Sequence, residues 1–329
     1  MDNFTHTFTA LAMSRAGLER YSPYSAWLLF LGANAPDIDV FPGIGSGVRY
    51  IEWHRGATHS LSAAPVLAVV AVGIVWLFQK RVKDNLLTAF LLALAGVLSH
   101  LLLDFWNPYG MRLLLPFSRQ WLGLDTLPVV DFWVTPVMAV CLAAPYLFRM
   151  ISDEIGARRG TGRPGAFLAL IFLLAWWGLR DFSHRRAVNI LDSHVYRGLD
   201  PRRVSAYPDM TNPFLWHGVV DTGESFEQAD VSILSEFDPT GAHTSFPPDP
   251  HPALDVARKT RTGRAFLDFA AYPYIYVDRK EDGYEVVFRD LRYEYGTFLR
   301  RGAVARVFMD EQYRVLEEAF HFRDTGSLQ

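Results

Sequence analysis

Long apolar runs crowd residues 60–180 and are absent from about residue 181 onward. Four of them, residues 61–78, 86–105, 129–148 and 166–179, approach the roughly 20 apolar residues a helix needs to cross a bilayer core. The first two are apolar on every side, unlike the one-sided stripe of a soluble surface helix. Trp76, Trp106, Trp133, Trp176 and Trp177 fall near the run ends, where an interfacial aromatic belt places them. Ahead of these runs, residues 4–13 and 24–35 are shorter apolar stretches that predict a helical hairpin turning at 15–22. Such a hairpin returns His6 and Asp37 to one side.

From about residue 189 the pattern turns to short aromatic and β-branched segments. Strands are expected at 214–220, 229–234, 272–278, 284–289 and 303–309, with Glu281-Asp282-Gly283 as a hairpin turn. The predicted fold is therefore an α-helical polytopic membrane domain, residues 1–180, followed by a smaller, mainly β C-terminal domain, residues 181–329. The formal net charge of -3 argues against general nucleic-acid binding, which normally uses a basic face. Cys141 is the only cysteine, so no internal disulfide forms. The N-terminus lacks the basic and apolar regions of a signal peptide.

Basic residues set the expected orientation. Arg15 and Arg20, then Lys80, Arg81 and Lys83, then Arg149, Arg158, Arg159 and Arg163 fall in alternate loops, which the positive-inside rule makes cytoplasmic. The opposite loops, and the C-terminal domain with them, are expected on the outer face of the plasma membrane.

Those opposite loops carry the chemistry. His100 and Asp104 stand four apart and project from one helix face, where ionisable groups in an apolar helix usually serve a function. His54-Arg55-Gly56-Ala57-Thr58-His59-Ser60 precedes the run at 61–78, and Thr58 or Ser60 is placed to cap its helix. Asp37 and Asp39 follow the hairpin and, if extended, point the same way. With His6, seven candidate metal ligands gather on one membrane face: His6, Asp37, Asp39, His54, His59, His100 and Asp104.

Imidazole and carboxylate donors suit zinc first, with manganese or iron as alternatives, and the number of donors allows one or two ions. Such a centre activates water for hydrolysis of a phosphoester or related bond. Asp39 and Arg55 are the candidate catalytic groups, and Arg55 and Asn107 the candidate substrate contacts, since guanidinium forks match phosphate. Tyr109 is a weaker candidate for the pocket. Arg112 and Arg119 fit lipid headgroups better than substrate. Asp131 is expected to join the site or to pair with an arginine. The remaining six histidines, among them His217 and His251, show no ligand spacing and read as loop or surface groups.

Taken together, Met1-Asp2…Thr5-His6, Pro36-Asp37-Ile38-Asp39, His54-Arg55-Gly56…Thr58-His59-Ser60 and Ser99-His100-Leu101-Leu102-Leu103-Asp104 resemble a bacterial inner-membrane family of predicted metal-dependent hydrolases. The resemblance covers about residues 1–150, and Asn212-Pro213-Phe214-Leu215-Trp216 resembles the longer members. It implies a helical membrane protein with a metal-dependent hydrolase site, and for some members regulation by, or binding to, LexA. The bilayer and a lipid or phosphoester substrate are the expected partners. Two other classes fit the same residues: a transporter with the polar cluster on an ion path, and a membrane-anchored interaction protein with a degenerate site.

Overall fold

The computed structural model describes residues 1–155, 162–294 and 302–321. The orientation reading that uses Arg158 and Arg159 lies outside these residues. The chain groups into two compact units: Met1–Asp39 with Arg55–Asp181, and Val40–His54 with Phe182–Gln329. Helices in chain order are α1 (Asn3–Ala16), α2 (Ser25–Asn34), α3 (Gly47–Trp53, in the second unit), α4 (Ala64–Phe78), α5 (Leu86–Phe105), α6 (Val134–Ile155) and α7 (Arg163–Asp192).

The N-terminal hairpin is α1 and α2. Asp2 caps α1 by accepting the Thr5 N–H at 3.0 Å. Helix α2 packs on α5 at a crossing of two glycines. A Cβ on Gly96 would stand 2.5 Å from the Leu29 carbonyl oxygen, and one on Gly32 would meet the Ala93 carbonyl. Small residues let the backbones approach closely, as membrane helix pairs require. Leu28, Leu29, Ala33, Ala68, Ala71, Ala89, Leu92 and Ala93 form the core around this crossing. Outward-facing Val66, Val69, Leu87, Leu91, Leu98 and Leu102 remain exposed, the surface a bilayer would cover.

Several boundaries differ from expectation for local reasons. Helix α4 begins at Ala64 rather than 61, with Pro65 in its first turn and no side-chain cap on Ala63. Ser60 Oγ instead accepts the Ala63 N–H at 3.2 Å, and the Thr58 hydroxyl turns to Asp39. Helix α6 starts at Val134 because Asp131 accepts the N–H groups of Trp133 and Val134 at 2.8 and 3.0 Å. The second carboxylate oxygen of Asp131 accepts from Trp176 Nε1 at 3.0 Å, so this buried acid caps a helix and ties it to α7. Among the described residues it takes neither role expected of it. Helix α7 runs on past residue 179 through Arg180, Asp181, Arg185 and Arg186, because charge ends an apolar run without breaking a helix.

Among the described residues, two segments are long and apolar enough to cross a membrane by length and composition, Lys80–Phe105 and Arg163–Asp192. Ser25–Asn34 and Val134–Phe148 are shorter apolar helices. Helix α4 has 15 residues. Of the four expected runs, 86–105 and 166–179 fall in these two segments, while 61–78 and 129–148 fall in shorter apolar helices.

The second unit carries two four-stranded antiparallel sheets. One has the order β1 (Arg203–Pro208), β2 (Leu215–Asp221), β3 (Phe226–Ser232) and β4 (His243–Ser245). The other has the order β5 (Pro273–Lys280), β6 (Gly283–Asp290), β7 (Val304–Met309) and β8 (Val315–His321). Lys280 pairs with Gly283, which closes the β5–β6 hairpin at the Asp-Gly signal, and Gly283 takes φ 150 there. Two short helices, α8 (Pro252–Ala257) and α9 (Arg261–Phe269), accompany the second sheet. Phe266 of α9 meets Phe288 and Phe320 at ring separations of 5.7 and 6.4 Å.

Candidate metal centre

Four chain segments of the first unit deliver their polar side chains to one end of the helices. His6 enters on the first turn of α1, and Asp37 and Asp39 follow the end of α2. Arg55 and His59 precede α4, and His100 and Asp104 occupy the last turns of α5. The acidic pair lies in a 3-10 segment, Pro36–Gly43, rather than in an extended one. At about three residues per turn, positions two apart point to different sides. Asp37 and Asp39 therefore do different things.

Asp37, His59, His100 and Asp104 bring one donor atom each into a single cluster. His59 Nε2 and His100 Nε2 are 3.1 Å apart. Asp37 Oδ1 stands 3.5 Å from the first and 3.7 Å from the second. Asp104 Oδ2 stands 3.4 and 3.5 Å from the same two nitrogens. Donors that share one ion at about 2.0–2.2 Å stand roughly 3.0–3.6 Å from each other. The spacing fits one cation at the centre of the four.

Proton positions point the same way. His100 Nδ1 lies 2.7 Å from the Ala33 carbonyl oxygen, which can only accept, so Nδ1 carries the proton. His59 Nδ1 lies 3.0 Å from Asp39 Oδ2 and donates to it. In neutral rings both Nε2 atoms then carry lone pairs, and those lone pairs face each other across 3.1 Å. A shared cation removes that repulsion. Outer partners that fix the tautomer of a ligating imidazole are the usual company of a metal site. The Gly32–Gly96 crossing supplies one of them, since it brings the end of α2, and with it the Ala33 carbonyl, against α5.

Asp39 is an orienting acid. Its Oδ2 accepts from Thr58 Oγ1 at 2.6 Å, from the Arg55 N–H at 2.9 Å and from His59 Nδ1 at 3.0 Å. Arg55 is buried, and its guanidinium reaches Asp104 Oδ2 at 3.0 Å and Asn107 Oδ1 at 2.7 Å while lying over the Tyr109 ring. Asn107 Oδ1 also accepts the Tyr109 N–H at 3.0 Å. The residues expected to touch substrate thus hold one another and the Oδ2 end of Asp104. His6 is fully buried, stacks on His100 at 3.9 Å between ring centres, and places Nε2 3.3 Å from Asp104 Oδ1. The Met1 amino group bonds that same oxygen. Asp37, 15 % exposed, is the most open of the four clustered donors, and the other three are at 0–1 %.

His54 closes α3 and sets its ring 4.6 Å from that of Tyr50, within the second unit. Arg112 is buried, with its guanidinium over the Trp121 ring and its N–H on the Arg55 carbonyl at 3.0 Å. It therefore braces the site loop.

Two histidines read as surface groups have definite structural work. His251 caps α8 by accepting the Ala253 N–H at 3.1 Å. His217, on β2, is buried between Asp230 Oδ1 at 2.7 Å and Asp209 Oδ2 at 3.4 Å. Burial disfavours the charged ring, but the hydrogen bonds to Asp209 and Asp230 outweigh it and push the imidazole up to about 9. Burial also opposes charge on Asp209, yet the bonds from His217, Asn212 and Thr211 hold its carboxyl well below the usual range.

Apolar helices and a pooled His/Asp cluster at their ends define a membrane protein with a candidate metal centre. The chain belongs to the YdjM inner membrane protein family, whose model matches residues 1–189, and this is the family that the motifs resemble. Residues 252–327 match the YfhP C-terminal alpha/beta plait domain. The chain is 28% identical over 272 residues to the uncharacterized protein YfhP of Bacillus subtilis (strain 168), an alignment covering 80% of this chain and 75% of that protein. No solved structure matches the chain.

Proposed function

We propose that the helical unit is a metal-dependent hydrolase acting on a phosphoester or related bond, with Asp37, His59, His100 and Asp104 as metal ligands. The observation that carries this reading is the pair of Nε2 atoms 3.1 Å apart, each in a ring whose Nδ1 is committed to an acceptor. A bound divalent ion lowers the pKa of water and polarises the substrate oxygen. Asp37, His59, His100 and Asp104 would hold the ion, and release of Asp37, the most open donor, would make room for water.

The chain's own residues have distinct parts in this reading. Asp39 and the Ala33 carbonyl hold the two imidazoles in the ligating tautomer. Arg55 fixes Asp104 and adds a positive charge beside the reacting group, where charge develops on a phosphoryl oxygen. Asp39 acts through His59, so it is a positioning residue. The substrate enters past Asp37. The basic residues of the alternate loops favour the outer face of the membrane for this end of the helices.

The test is elemental analysis of detergent-purified protein and its His59→Ala and His100→Ala variants, followed by a panel of phosphodiesters and phosphomonoesters. Metal in the parent, loss of metal in both variants, and parallel loss of hydrolysis are expected. A parent that stays metal-free after incubation with zinc, manganese and iron would overturn the reading and favour a degenerate site.

A further inference from the structure

We infer that Asp104 bridges two cation positions, the second lying between its Oδ1 atom and His6 Nε2. This rests on the metal-centre reading above and concerns the number of ions. The two oxygens of Asp104 face different surroundings. Oδ2 belongs to the cluster with Asp37, His59 and His100 and meets Arg55. Oδ1 faces His6 Nε2 at 3.3 Å, and the Asn107 amide donates to it at 3.4 Å.

His6 is the independent observation. Its ring is fully buried, and neither ring nitrogen makes a hydrogen bond, although Nε2 lies close to a carboxylate. A buried polar atom left without a partner costs about 1–3 kcal/mol, and such an atom in a native fold commonly marks an ion or water site. Buried surroundings with a carboxylate in reach are a poor place to keep an idle imidazole. The ring lies nearly parallel to His100, at an interplanar angle of 18° and a centre separation of 3.9 Å. Paired catalytic ions stand about 3.5–4 Å apart, so two stacked imidazoles can each serve one ion of such a pair. Asp104 then supplies the bridging carboxylate, and its Oδ1 and Oδ2 are already divided between the two positions.

The experiment counts manganese in full-length, detergent-purified protein stripped with chelator and then titrated with Mn²⁺. The parent should bind about two equivalents and give an exchange-coupled dimanganese signal by electron paramagnetic resonance. The His6→Ala variant should keep about one equivalent, lose the coupled signal and retain the parent's circular dichroism. One equivalent in the parent, with an uncoupled signal that His6→Ala leaves unchanged, overturns the second position while the first stands. No manganese, zinc or iron in the parent overturns both. If His6→Ala fails to fold, the parent's own stoichiometry and coupling decide the matter.

Discussion

Replacing Asp39 by asparagine tests how far the outer shell controls the centre. The substitution keeps the shape and removes the charge from an oxygen that takes three donors at 2.6, 2.9 and 3.0 Å. Charge-assisted bonds are about twice as strong as neutral ones, so the three together should lose roughly 2–4 kcal/mol. Part of this loss falls on the fold and part on His59, whose Nδ1 proton is no longer held by a carboxylate. Loss of such an outer partner typically weakens metal affinity about 10–100-fold, or about 1.4–2.7 kcal/mol. Competition against a chromophoric chelator measures the metal Kd in detergent, and a thermal melt reports the fold. Thr58→Val removes one of the three donors and leaves His59 paired, so it should shift the melt with a smaller change in Kd. An Asp39→Asn protein that binds metal within about twofold of the parent would refute the orienting role.

Other features give separate predictions. Gly96→Val places side-chain atoms against the Leu29 carbonyl and should cost at least about 1–3 kcal/mol while drawing Ala33 away from His100; a lowered Tm together with weakened metal binding checks both. His217 titrates near 9 when folded against about 6.5 unfolded, so its contribution is full below pH 6.5 and is lost as pH rises through 9. Asp209 has the opposite sign, contributing above about pH 4 and losing its contribution as pH falls. Melting curves from pH 4 to 10 should therefore decline across the alkaline limb, and His217→Asn should flatten that limb. Reporter fusions after Arg81 and after Asp181 should report opposite sides of the membrane, and the same side for both would remove the outer-face placement.

The helical half and the gathering of its ligands were legible because they rest on long periodic signals. An i,i+4 pair on an apolar helix needs no tertiary information, and a hairpin of two apolar stretches brings its ends together by topology alone. The backbone donors and acceptors were not legible. The Ala33 carbonyl has no side-chain signature, and its nearness to His100 depends on how closely Gly32 and Gly96 allow two helices to approach. The 3-10 turn at Pro36–Gly43 was missed because Asp-x-Asp reads equally well as extended chain, and this changed the part assigned to Asp39. In the second unit, β1, β8, α8 and α9 are short, and their identity depends on neighbouring strands more than on their own residues. His217 became visible only when the pairing of β2 with β3 set Asp230 opposite it.

Arg55 adopts φ 57, a left-handed conformation that glycine takes without strain and arginine does not. Its N–H on Asp39 and its carbonyl under Arg112 hold it there. Thermodynamic optimisation alone would put glycine at this position, yet the long cationic side chain is what reaches Asp104 and Asn107. Here foldability and chemistry make opposite demands of one residue. Functional sites commonly store such strain, and a screen for thermal robustness would be drawn to glycine at this position, at the expense of the contacts to Asp104 and Asn107.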